Sequence, residues 1–141
     1  MDGKNFINTA QKLLQIRDEP ALRSAVSRAY YAAYHCCTAL ARQLGFQFDK
    51  DSPSHERIYQ YLRNCGISEI ENTAEDLRRL RRRLNGADYD MAITEFQNHV
   101  ACQWDVVNAQ SIISLVEKYN QEPLRTQLRN GLREYQTKIH S

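Results

Sequence analysis

The sequence predicts an all-α fold, an up-and-down bundle of about five to six helices. Three observations carry that prediction. Apolar residues recur at spacings of three, four and seven, and no stretch shows the period of two that a half-buried strand requires. The 141 residues hold only three prolines and five glycines, most of them at the ends of periodic segments. One long stretch, residues 21–45, contains no helix breaker and is rich in alanine, which suits a helix at the centre of a bundle.

The first helix is expected over residues 4–17, with Phe6, Ala10, Leu13, Leu14 and Arg17 on its inner face. Asp18 and Glu19 turn the chain, and Pro20 stands at the first position of the second helix, where its fixed φ is favourable. That central helix ends at Gly45. Its small residues Ala25, Ala29, Ala32, Ala33, Cys36 and Ala39 let neighbours approach closely. One polar stripe survives on it: Arg28, Tyr31, His35 and Arg42 share a face, whereas Tyr30 and Tyr34 point into the core. Phe46 and Phe48 in the following link cover the core's edge. Ser52 caps a third helix with Pro53 at its first position, Ile58, Leu62 and Cys65 inward, and Gly66 at its end. His55, in its first turn, is expected to make a polar contact to that turn.

Ser68 and Glu71 form a capping box, in which the Ser hydroxyl and the Glu carboxylate each satisfy an amide at a helix start. Ile70, Ala74, Leu77 and Leu84 then carry a fourth helix to a stop at Asn85-Gly86. A second box, Thr94 with Gln97, opens a fifth helix whose inner face reads Phe96, Val100, Trp104, Val107 and Leu115. The sixth, over about residues 123–139, buries Leu124, Leu128, Leu132, Tyr135 and Ile139. Beside that face Arg125, Arg129 and Arg133 form a cationic line, so the last helix either completes the bundle or docks a partner. No repeat, low-complexity run or domain boundary interrupts residues 1–141, which read as a single domain.

Composition excludes several classes. Apolar content of 42% and charged content of 26% are ordinary for a soluble protein, and a net charge of +2 does not by itself imply nucleic acid. No apolar run approaches the roughly 20 residues that span a bilayer, and the N-terminus has no apolar signal core. Four cysteines without a CxxC pair read as reduced thiols, so a cytoplasmic location without membrane association is expected. His35, Cys36, His99 and Cys102 lack the spacing of a structural zinc site, and no metal or other cofactor is expected. No Gly-rich phosphate loop, nucleophile elbow or catalytic carboxylate pair is present.

Two strings resemble a known family. SRAYYAAYH on the central helix and RxNxADYD after the fourth (Arg83, Asn85, Ala87, Asp88, Tyr89, Asp90) together are similar to the HEPN domain, over roughly residues 6–119. The resemblance implies a helical bundle that commonly dimerises. Many HEPN domains are metal-independent RNases, often the toxin paired with a nucleotidyltransferase antitoxin, or parts of phage-defence systems. In those RNases an Arg precedes a His with four to six residues between them, and two such pairs meet across the dimer. The chemistry follows: His exchanges protons near neutral pH and Arg offsets charge building on phosphate. Here the positions after Arg81, Arg82 or Arg83 hold Ala87, Asp88, Tyr89 and Asp90. Asp88 stands where the imidazole is expected, and a carboxylate titrating near about 4 is a poor acid at neutral pH. The motif therefore does not carry RNase activity to this chain.

Two candidate sites remain. Arg28, Tyr31 and His35, facing Arg83 and Asp88, form either a cleft for phosphate or nucleotide or a buried network in which an Asp88–Arg28 pair pins the second helix to the fourth. The arginines of residues 78–83 form either a phosphate-binding face, with Arg79, Arg82 and Arg83 leading, or a solvated surface partly balanced by Glu75 and Asp76. Tyr89 joins the ligand-binding set, and Arg83, Asp88 and Tyr89 are the candidates if catalysis occurs. The chain is thus expected to be a dimeric, toxin-like or binding component of a toxin–antitoxin or defence module, with RNA, a nucleotide or a partner protein as ligand. An active RNase with a divergent site and a purely structural interaction subunit are the alternatives.

Overall fold

A computed structural model describes residues 3–48, 52–89 and 99–140. Among these residues the chain forms six helices: α1 (Gly3–Ile16), α2 (Glu19–Gln43), α3 (Ser52–Arg63), α4 (Ser68–Tyr89), α5 (His99–Tyr119) and α6 (Leu124–Ile139). Thr94, Phe96 and Gln97, the expected start of α5, lie outside the described residues. No strand occurs among the described residues, and none of their helices is long and apolar enough to cross a membrane.

α2 is the axis of the bundle and packs against α1, α4 and α5. Ala25, Ala29, Ala32 and Ala33 are completely buried on it. Because they carry only a methyl group, three helices can close around one without leaving voids. Asp18 caps α2, its carboxylate accepting from the Ala21 amide at 2.8 Å. Arg17 turns the chain with φ +67° and Gly45 leaves the helix with φ +100°, so α1 doubles back on α2 through two residues. Phe46 and Phe48 are buried as expected, and their rings meet Tyr61 edge-on. Arg42, expected on the polar stripe, instead donates to the Phe48 carbonyl and closes this link.

α4 runs antiparallel to both α3 and α5. At one end Glu69 accepts from Tyr119 at 2.8 Å and from Lys118; at the other Arg83 meets Asp105. Glu71 reaches back to the Gly66 amide at 3.1 Å rather than to that of Ser68, so the capping-box carboxylate serves the link instead. Gly66 itself has φ +83°.

Three expectations are corrected here. α4 does not stop at Asn85-Gly86; its backbone stays helical to Tyr89. A glycine inside a helix costs only about 1 kcal/mol, and the buried Leu80 and Leu84 anchor the turns before it. The fifth helix turns a different face inward. Cys102, Val106, Ala109, Ile112 and Ile113 are buried, while Val100, Trp104 and Val107 are 58%, 61% and 38% exposed and Leu115 is half-buried. The helix is apolar on nearly every side, so periodicity alone admits both phases. On α6, Leu128 and Leu132 are buried but Ile139 is exposed, where the last turn lies beside Glu56, Arg57 and Gln60 of α3 over an open surface groove.

α6 is held by α3 and α5. Arg125 donates to the Gln43 carbonyl at the end of α2, placing a cation where the helix dipole favours one. Gly131 lies so close to the α3–α4 link that a Cβ there would run into the Cys65 carbonyl oxygen.

Candidate functional site

Where α3 crosses α4 near the middle of α2, the surface opens into a cleft of about 160 Å³. His55, Glu56 and Tyr59 of α3 line it on one side, and Leu77, Arg78, Arg81, Arg82 and Asn85 of α4 on the other. The helical period explains the second set: 78, 81, 82 and 85 lie one turn apart on a single face, just beside the buried row Leu77, Leu80 and Leu84.

Behind His55 stands α2. Tyr30 and Tyr34 are buried as expected, yet both serve His55. The His55 ring stacks on Tyr34 with centroids 4.1 Å apart, and its Nδ1 lies 2.5 Å from the Tyr30 hydroxyl. Burial, then the positive charge of Arg81 and then His35, hold the His55 pKa below its ordinary value. Burial likewise raises that of Tyr30, so the phenol keeps its proton. A protonated phenol and a neutral imidazole share one hydrogen between Tyr30 Oη and His55 Nδ1, in the direction that the His55 tautomer sets. His55 is therefore held in place on the cleft wall by Tyr30 and Tyr34, with its charged form disfavoured.

The arginines are held differently. Arg78 lies over the Tyr59 ring, 4.6 Å from its centroid, and donates to the Tyr59 hydroxyl at 3.0 Å. Tyr59 in turn donates a hydrogen bond to Glu75 at 2.7 Å, and Arg63 donates to the same carboxylate oxygen. This chain fixes Arg78 at the cleft. Arg79 points away and pairs with Asp76 on the exposed surface. Arg83 meets Asp105 of α5 through Nε at 2.9 Å and Nη2 at 2.8 Å, both to Oδ2. Among the described residues no carboxylate pairs with Arg81 or Arg82.

The candidates named from sequence are thus divided. Arg82 lines the cleft; Arg79 and Arg83 do not, and Arg83, which has no acid one turn before it, is neutralised by a neighbouring helix. Arg28, Tyr31 and His35 face α1 rather than α4: His35 stacks on Phe6 at 5.3 Å and Arg28, exposed, lies 5.9 Å from the same ring. The side chains of Asp88 and Tyr89 lie outside the described residues. The Asp88–Arg28 expectation loses its premise, since α4 makes no turn there. An Arg–Asp pair does pin helices together, but it joins α4 to α5. His55 and Arg81 were reachable only through Tyr30 and Tyr34, whose i, i+4 spacing makes a two-ring platform for whatever crosses α2.

Burial pushes the Cys37 thiol to about 12 and the Cys102 thiol to about 11, so neither is a nucleophile near neutrality. Among the described residues no group of three or more His, Cys, Asp or Glu side chains is arranged to hold a metal ion. The cleft can do two things chemically: bind an anion through Arg81, Arg82 and Arg78, and offer it a neutral imidazole.

The family model for the HEPN domain matches residues 2–121, which takes in α1 to α5 and leaves α6 beyond it. No curated protein and no solved structure matches the chain.

Proposed function

The chain belongs to the HEPN domain family, and from that premise we propose that it is the RNA-binding, toxin-like component of a toxin–antitoxin or defence module, with the α3–α4 cleft as its phosphate-binding surface. The observation that carries this reading is the pair of cations at the cleft, Arg81 and Arg82, that no carboxylate among the described residues neutralises. Like charges crowded on one helix repel, and a bound polyanion relieves that repulsion. A nucleotidyltransferase is the partner that the family suggests. A homodimer is the assembly we propose, and the exposed row Val100, Trp104 and Val107 on α5 supports it, because a second copy would bury that row.

The test is binding of a short labelled RNA at low salt. Reversing Arg81 and Arg82 to Glu abolishes binding on this reading, while Arg79→Glu, which alters only an exposed surface pair, leaves most of it. Equal loss in both variants would mean a diffuse charge effect rather than a site.

An active RNase is the second reading, and His55 is the observation that favours it. The imidazole missing from the helix motif is supplied by another helix. Incubating RNA with the protein in chelator separates the two. Binding without cleavage is the expected outcome; cleavage that disappears in His55→Ala promotes the RNase.

A further inference from the structure

The size and charge of the cleft say more than that it binds RNA. Pockets that enclose whole small molecules occupy roughly 300–1,000 Å³. This one offers about 160 Å³, with the buried Leu77 and Tyr59 among its walls, a volume that suits one compact group. Residues that carry hydrogen-bond donors cluster there: Arg78, Arg81, Arg82, His55 and Asn85 line a single concavity. A phosphodiester within a strand brings one negative charge and two flanking sugars. A terminal phosphate monoester brings about −1.5 to −2 at neutral pH and can enter end-on. Glu56, the one carboxylate that lines the cleft among the described residues, opposes a second phosphate beside the first.

We infer that the cleft is a receptor for a terminal phosphate monoester, so that the protein engages RNA by an end rather than along its backbone. The inference rests on the RNA-binding reading above and narrows it. Arg81 and Arg82 supply the charge. Arg78, held by Tyr59, and His55, held by Tyr30 and Tyr34, fix the geometry. The rest of the RNA lies outside the cleft and contributes only nonspecific attraction.

The experiment compares one oligoribonucleotide in three forms, with a 5′-phosphate, with a 3′-phosphate, and with hydroxyls at both ends, each titrated against the full chain. One phosphorylated form is expected to bind about tenfold or more tighter than the dihydroxyl form, the fold-change of a single charge-assisted hydrogen bond. Which form does so identifies the end. Inorganic phosphate should compete, and Arg81→Gln should remove the preference while circular dichroism stays helical. His55→Asn is the second variant; it should weaken the preference without abolishing binding. Equal affinity for all three forms would overturn the inference yet leave RNA binding in place. Absence of binding by every form would overturn both, and a preference untouched by Arg81→Gln would overturn the assignment of the phosphate to this cleft.

Discussion

Removing the Asp105 carboxylate should destabilise the bundle, because it breaks the ion pair that ties α4 to α5. Asp105 Oδ2 accepts a hydrogen bond from Arg83 Nε at 2.9 Å and lies 2.8 Å from Nη2 in an ion pair, and the two side chains are only 11% and 19% exposed. Breaking a fully buried pair costs about 3–5 kcal/mol, because the surviving charge is stranded away from water. Arg83 keeps some access to solvent, which lowers the expectation for Asp105→Ala to about 2–3 kcal/mol. A chain of this size unfolds with an entropy of about 0.3 kcal/mol/K, so the melting temperature should fall by about 7–10 °C. Circular dichroism melts of wild type, Asp105→Ala, Arg83→Met and the double variant measure this directly. The double variant should lose less than the sum of the singles, with a coupling of about 1–3 kcal/mol. Additive losses, or an Asp105→Ala melt within a degree of wild type, would refute the pair as the tie between α4 and α5. Arg28→Ala provides the contrast: its ring contact to Phe6 is exposed and worth about 0.5–1 kcal/mol.

Three further outcomes follow from the packing. The His55 pKa lies below its unfolded value, so the unfolded chain binds more protons as pH falls below about 6.5. The stability that neutral His55 contributes is complete above that pH and is lost as pH falls through its folded pKa; wild type should lose stability over this window and His55→Gln should lose less. Gly131→Ala should cost about 1–3 kcal/mol, since the new methyl meets the Cys65 carbonyl and α6 must shift; an unchanged melt would mean that α6 is loosely seated. Trp104→Asp should shift a dimer to monomer in sedimentation without lowering helix content, because the ring is 61% exposed in the single chain; a protein monomeric before the change would dispose of that interface.

Much of this fold was legible in the chain itself. The alanine spacing of α2, the Asp18–Pro20 start and the glycines at 45 and 66 are local signals, and each reappears as a buried methyl, a cap or a left-handed turn. α5 was less legible because Val100, Trp104 and Val107 compete with Cys102, Val106 and Ala109 for the inward face, and only the packing of α2 decides. The cleft was least legible. His55 and Tyr30 are 25 residues apart, and Arg83 and Asp105 are 22 apart. No spacing rule links such pairs; the crossing of helices does. The arginine run could be seen, but which of its members keeps a free charge depends on acids supplied by other helices.

The central claim, that Arg81 and Arg82 contact phosphate, is tested most directly by the salt dependence of RNA binding. For single strands the logarithm of the binding constant falls with the logarithm of salt by about 0.7 for each phosphate neutralised. Wild type and Arg81→Gln/Arg82→Gln should therefore give lines whose slopes differ by about 0.7, the one phosphate that the two cations share, the double variant being the shallower. Parallel lines, with affinity merely displaced or unchanged, would contradict the account.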